Sequence, residues 1–289
     1  MASEDRRIEI KNTDQILRMR RAGMVVAQIH QALKTACEPG TTTGELDQVS
    51  AAVIARMGAK SNFLGYDGFP ATVCISVNEE VIHGIPGNRV LQFGDLVSFD
   101  CGAYVLDCNN RQWHADAAFT MVCGGEEHAR PEDLQLMTTT QRALWSGIAA
   151  LAKAQHLGEI GDAVEEVVYE DSLRFGWEAG IVEEYVGHGI GTSLHQAPDV
   201  LNFSTRSRGP KIKTGMVLAI EPMLTRGGAV TKELADGWTV VTVDGSRAAH
   251  FEHTVAVLPG GVWVLTEPDG GRSGLAPFGF SPRAIAPRG

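Results

Sequence analysis

The sequence has no apolar run near the roughly 18–20 residues that a membrane-spanning helix needs. Its opening stretch, Met1 to Arg7, also lacks the apolar segment of a secretory signal. Basic clusters are scarce: no Lys/Arg block is longer than Arg20-Arg21, and 35 acidic against 25 basic residues leave a net charge of −10. Duplex-binding proteins carry the opposite balance, so neither a membrane nor a specific nucleic acid is an expected partner. The five cysteines (Cys37, Cys74, Cys101, Cys108 and Cys123) are odd in number, scattered, and never spaced C-x-x-C. Free thiols in a reducing compartment suit that pattern better than a disulfide framework, which makes the cytoplasm the expected location.

Several catalytic signatures are missing too. Gly187-His188-Gly189-Ile190-Gly191-Thr192 lacks the third glycine of a dinucleotide loop and the Gly-Lys of a phosphate loop. No H-E-x-x-H marks a mononuclear zinc peptidase, and Ser193 lacks the glycine that follows a nucleophile-elbow serine. No cysteine has an identifiable base beside it.

What remains is an ordinary globular composition, 44% hydrophobic over 289 residues. Apolar residues at helical spacing from Asp14 to about Cys37 predict a first helix, stopped by Pro39-Gly40. Thr42-Thr43-Gly44-Glu45 reads as a capping box opening a second helix to about Met57. Strand-like alternation follows from Ala71 to Val122, then helices from Pro131 to about Gln155 and from Gly161 to Phe175, then strands from Ile181 to Val264. Helices followed by strands, twice, predict an α+β domain with two related halves around one sheet. The expected organisation is a short polar lead over 1–13, a single folded domain over 14–266, and a disordered Gly/Pro/Arg-rich tail over 267–289.

The chemistry-bearing residues lie in the strand regions. Asp100 interrupts Leu96–Cys101 and Asp116 interrupts Trp113–Phe119; their midpoint falls in the turn sequence Asp107-Cys108-Asn109-Asn110. A hairpin centred there sets the two aspartates opposite each other on one face, where they repel unless a cation lies between them. Aspartates facing solvent are the plain alternative. Glu221, closing the apolar stretch Met216–Ile220, and Glu252, within His250–Val257, add two more acids in strands, and repeated buried charge implies a shared partner. His188, flanked by glycines, could complete the shell. Four carboxylates and a neutral imidazole balance two divalent ions, and such an oxygen-rich set suits Mn²⁺, Fe²⁺, Co²⁺ or Zn²⁺ alike.

Four segments resemble the signature of type I methionine aminopeptidases, of the pita-bread metallopeptidase family. They are Ile75–Pro86, Val186–Gly191, Ile220–Met223 and Phe251–Thr254, in the expected order within a resemblance running from about Asp14 to Leu265. The resemblance implies the pita-bread fold and removal of the initiator methionine from nascent proteins. It implies Asp100, Asp116, His188, Glu221 and Glu252 as ligands of two metals, with Asp116 and Glu252 bridging. It implies Glu221 as the proton carrier, His83 and His195 as hydrogen-bond donors to substrate and oxyanion, and Tyr66, Phe69, Cys74, Leu194 and Trp238 as the methionine pocket. Nascent chains would be the partners, with transient ribosome contact compatible with that role, and a monomer is expected. Two departures stand out: the Asp100–Asp116 interval is longer than the family pattern, and Phe63 stands where some members have a smaller residue. The competing readings are an Xaa-Pro peptidase of the same fold, or a relative without activity that binds the ribosome or another partner.

Overall fold

The computed structural model describes residues 8–177 and 179–285. Helix α1, Thr13–Ala36, opens on a reciprocal cap: the Asn12 side chain accepts from Gln15 N, and Gln15 Oε1 accepts from Asn12 N. Its periodic face, including Ile16, Met19, Val26, Ile29 and Leu33, is buried. Helix α2, Thr43–Arg56, has the Thr42–Glu45 capping box expected of it. Both pack beside a four-stranded antiparallel sheet in which the strand Leu96–Leu106 pairs with Gln112–Val122, Val73–Val77 and Lys60–Ser61.

The second half repeats the plan. Helices α3, Pro131–Leu151, and α4, Gly158–Phe175, accompany a five-stranded sheet ordered Gly261–Val264, His253–Leu258, Val217–Ile220, Gly187–Gly189, Gln196–Val200. The two sheets meet where Glu252 N donates to Ala118 O (2.9 Å) and Ala118 N to Glu252 O (3.3 Å). This is the α+β pita-bread architecture, and the acids of both halves converge at its seam. Among the described residues no helix is long and apolar enough to cross a membrane.

Two expectations need correction. The hairpin centre is residue 109 rather than 108: Gly102 pairs with Asp116, Asp100 with Ala118, and Leu106 with Gln112. Asp107 sets this register, because its Oδ1 accepts from Asn109 N (2.8 Å) and Arg111 N (3.0 Å), closing a five-residue loop. Asp100 and Asp116 are therefore diagonal neighbours, still on one face because the slip is two residues along the partner strand.

Within the polar lead, residues 8–12 pack on the domain, and Lys11 N donates to Gly215 O (2.7 Å). The segment after Thr266 is not a disordered tail over its described part. Asp269 caps helix α5, Arg272–Leu275; Leu275 is fully buried, and Phe278 and Phe280 pack on the same core. A few well-spaced apolar residues suffice to anchor a Gly-rich segment, which average composition conceals. Residues 1–7 and 286–289 lie outside the described part of the chain.

Candidate metal centre and substrate cavity

A cavity of about 300 Å³ opens at the seam, and its walls differ in character. One wall is acidic. Asp116, His188 and Glu252 each offer a ligand atom, all within 4.8 Å of one another. Asp100 and Glu221 lie outside that triplet but line the same cavity. Burial pushes all four carboxyl groups up, Asp116 to about 6, and the neighbouring acids push Asp100, Glu221 and Glu252 further. Thr254 Oγ1 donates to Asp116 Oδ1 (2.8 Å), whereas Asp100 Oδ1 is buried with no hydrogen-bond partner among the described residues.

The His188 ring settles what the acids need. Its Nδ1 lies 3.0 Å from Gly189 O, and because a carbonyl only accepts, Nδ1 must carry the proton. Burial lowers its pKa to about 4, so the ring is neutral and Nε2 presents a lone pair. That lone pair faces Asp116 Oδ2 at 3.5 Å and Glu221 Oε1 at 3.6 Å. A lone pair among carboxylates is repulsive until a cation sits between them, so the residues present fit divalent metal. Gly189 permits the geometry: a Cβ there would fall 2.2 Å from Ala197 O.

The other wall is apolar and aromatic. Phe69, Cys74 and Leu194 are buried; the Trp238 ring meets Phe69 edge-on at 5.1 Å and His83 at 6.0 Å. Tyr66 Oη hydrogen-bonds His195 Nδ1 at 2.7 Å, and the His195 and His188 rings lie 4.4 Å apart. Burial lowers His83 and His195 to about 4, leaving both neutral. His83 sits in the left-handed backbone region at φ 59°, a conformation that costs energy outside glycine. Phe63 also lines the cavity, packing on Phe69 at 6.4 Å.

Every site residue expected from the sequence thus lines this cavity or belongs to the ligand triplet. Sequence reasoning gave no role to His250, Met223 or Tyr185, which line it too. His250 Nε2 is buried without a partner among the described residues, 3.7 Å from Glu221 Oε2, a distance beyond a hydrogen bond. Its position two residues before Glu252 was a same-face signal, as was that of Met223 two after Glu221. Tyr185, in a loop, carried none.

Comparison with known proteins agrees with this geometry. Residues 17–259 match the model of metallopeptidase family M24. The chain is 47% identical over 249 residues to methionine aminopeptidase 1 of Mycobacterium tuberculosis, covering 86% of this chain and 91% of that protein. Against methionine aminopeptidase 1 of Bacillus subtilis the identity is 42% over 248 residues, with 86% and 94% covered. The crystal structure of a methionine aminopeptidase from Thermotoga maritima superposes with a TM-score of 0.83 at 34% identity, over 90% of this chain and 100% of that one. A prolidase from Pyrococcus furiosus, at 18% identity and TM-score 0.68, shares the fold alone. The chain belongs to metallopeptidase family M24, on its methionine aminopeptidase side.

Proposed function

We propose that this protein releases the N-terminal methionine of newly made polypeptides in the cytoplasm, using two divalent ions drawn from Mn²⁺, Fe²⁺, Co²⁺ or Zn²⁺. One observation carries the reading: a single cavity joins an acid cluster that needs cations to an apolar wall that fits an unbranched, polarisable side chain. Asp100, Asp116, His188, Glu221 and Glu252 would hold the ions, and four carboxylates match their charge. Bound there, divalent ions would acidify a water and polarise the scissile carbonyl.

The chain's own groups do the rest. Glu221, whose carboxyl is pushed up by burial and by Asp116 and Asp100, is suited to accept a proton from water and deliver it to the leaving amine. His83 and His195 are neutral, so each donates an N–H to the developing oxyanion without bringing charge to the cation site. With the Tyr66 phenol donating to His195 Nδ1, Nε2 of that ring carries the proton. Tyr66, Phe69, Cys74, Leu194 and Trp238 hold the methionine side chain, and transient contact with the ribosome would present the substrate.

The test is peptide hydrolysis by the metal-reconstituted enzyme. Rapid release of methionine from Met-Ala-Ser, with slow cleavage of Leu-Ala-Ser, Lys-Ala-Ser and Met-Lys-Ser, is the expected result. A lysine head in the pocket would be desolvated without a partner, and a shorter or branched side chain loses about 0.8 kcal/mol per unburied CH₂. Preference for Ala-Pro peptides would replace this reading with an Xaa-Pro peptidase. No hydrolysis with any of the four metals would leave a binding module.

A further inference from the structure

The loop from Gly191 to Gln196 carries two cavity residues, Leu194 and His195, and its outer side is tied to the start of the chain. Glu9 accepts from Thr192 N (Oε2, 3.1 Å) and from Thr192 Oγ1 (3.2 Å). Lys11 Nζ, on a side chain only 1% exposed, lies 3.6 Å from Glu9 Oε2 and donates to Glu9 O (3.2 Å) and to Gln196 Oε1 (3.4 Å). Gln196 Nε2 closes the ring by donating to Thr192 Oγ1 (3.1 Å). Gly191 is a glycine for the same reason: a Cβ would stand 2.3 Å from Glu9 Oε2 and 2.4 Å from Lys11 Cε. The strap is also anchored behind, through Lys11 N to Gly215 O at 2.7 Å.

A buried ammonium is costly unless it is paired, and a surface loop does not need one to stay folded. Here the pair sits on the segment whose placement decides the cavity wall. On its inner side the loop meets Tyr66 through His195, and Gly191 O accepts from His114 N (2.9 Å). The geometry points to Glu9 and Lys11 as positioning residues: they hold the 191–196 loop so that Leu194 and His195 keep their places against substrate. This inference rests on the aminopeptidase reading.

The experiment uses the metal-reconstituted full chain and the variants Lys11→Met and Glu9→Gln, with the double variant. Each variant is assayed below its own melting temperature, with metal content measured. Wild-type metal content is expected, because neither side chain touches the acid cluster. The kcat/KM for Met-Ala-Ser should fall roughly tenfold to hundredfold, as displacements near 1 Å at a reacting centre do. Preference for Met-Ala-Ser over Leu-Ala-Ser should narrow, since Leu194 is part of the pocket wall. The double variant should be no worse than the poorer single one, the sign of one shared interaction. Hydrogen exchange reports on the loop without any assay: the Thr192 amide should exchange at least about tenfold faster in both variants. Variants with loosened Thr192 but wild-type kcat, KM and selectivity overturn the inference, as does unchanged exchange. A wild-type enzyme that releases no methionine overturns the underlying activity reading instead, a different result from the first two.

Discussion

The two walls of the cavity are built on opposite terms. The acidic wall comes from the seam of the two halves: Asp100 and Asp116 from the strands of one hairpin, Glu221 just past the end of Val217–Ile220, and Glu252 just before His253–Leu258. It is buried and electrostatically unfinished, with an orphaned Asp100 oxygen and a His188 lone pair turned toward carboxylates. The apolar wall comes mostly from a 3₁₀ turn at Tyr66–Gly68 and from loops around Leu194 and Trp238, with Cys74 added from the strand Val73–Val77, and its rings satisfy one another edge to face. One wall requires a ligand to be stable as built; the other only selects one. Strands and their ends fix the charge and loops supply most of the substrate contacts, close to the usual division between scaffold and specificity.

The largest effect should come from the acidic wall. Asp100→Asn and Glu252→Gln keep shape but remove one charge each from a set that balances two divalent ions. Both variants should lose metal and activity together while remaining folded, because removing a buried charge from a like-charged cluster relieves repulsion. Metal analysis beside circular dichroism decides it. Full metal content with lost activity would mean that the residue acts on substrate rather than on metal.

Much of this wall was legible beforehand, and the reason is physical: an acid inside or closing an apolar strand has few innocent explanations. Asp100, Asp116 and Glu221 therefore declared themselves one by one, and so did Glu252, although it stands just before its strand rather than within it. Their relative placement was less legible. The register depends on two backbone hydrogen bonds to Asp107 inside the turn, and counting to a midpoint misses them. The pocket residues came from the family resemblance, because periodicity alone cannot separate a pocket aromatic from a core one. The strap at Glu9 and Lys11 was hidden in a segment read as polar lead. Hydrophobic patterning is blind to an element whose packing is made of hydrogen bonds. Leu275, Phe278 and Phe280 were missed for the opposite reason: three apolar side chains are diluted by the glycines around them.

A smaller effect, again on the acidic wall, is the pH dependence of stability with and without metal. In the chelated protein Asp116 titrates near 6, above its unfolded value of 3.8, with burial the main cause. The folded state then binds more protons than the unfolded one across that window, so this group lowers stability as pH rises through it. His30, held near 3 chiefly by burial, acts oppositely: the unfolded chain binds its proton below about 6.5, and stability is lost as pH falls through that range. Asp100, Glu221 and Glu252 act with Asp116, and His83, His188 and His195 act with His30, so the two sets oppose each other and the chelated profile between pH 5 and 7 is set by their difference. Metal removes the acid half of the contest, since protons and cations compete for the same carboxylates. The melting-temperature gap between loaded and chelated protein should therefore widen from pH 5 to 7, with the metal contributing about 2.7 kcal/mol per site at a hundredfold excess over Kd. A gap that narrows as pH rises would detach these acids from metal binding.

The smallest effect should come from the apolar wall, and it tests whether the two walls are separable. Trp238 lies in a loop, half-buried, with its ring against Phe69 and near His83, and it contacts no member of the acid cluster through any hydrogen bond or ion pair among the described residues. Its backbone N–H is held by Asp236 Oδ1 (2.9 Å), so the turn should survive loss of the indole. Trp238→Ala removes one face of the pocket: the methionine side chain loses part of its burial and any sulfur–aromatic contact, together about 1 kcal/mol. KM for Met-Ala-Ser should rise roughly fivefold, following the rule that about 1.4 kcal/mol is a factor of ten. Selectivity over Leu-Ala-Ser should fall by less, because leucine loses contact with the same face. Metal content and the pH profile of stability should match the wild type. If kcat drops while KM holds, the indole acts through the edge contact with His83, and substrate selection and oxyanion stabilisation are coupled. If metal is lost as well, the loop is holding the acid cluster in place, and the division between a fixed charged wall and a selecting apolar wall fails.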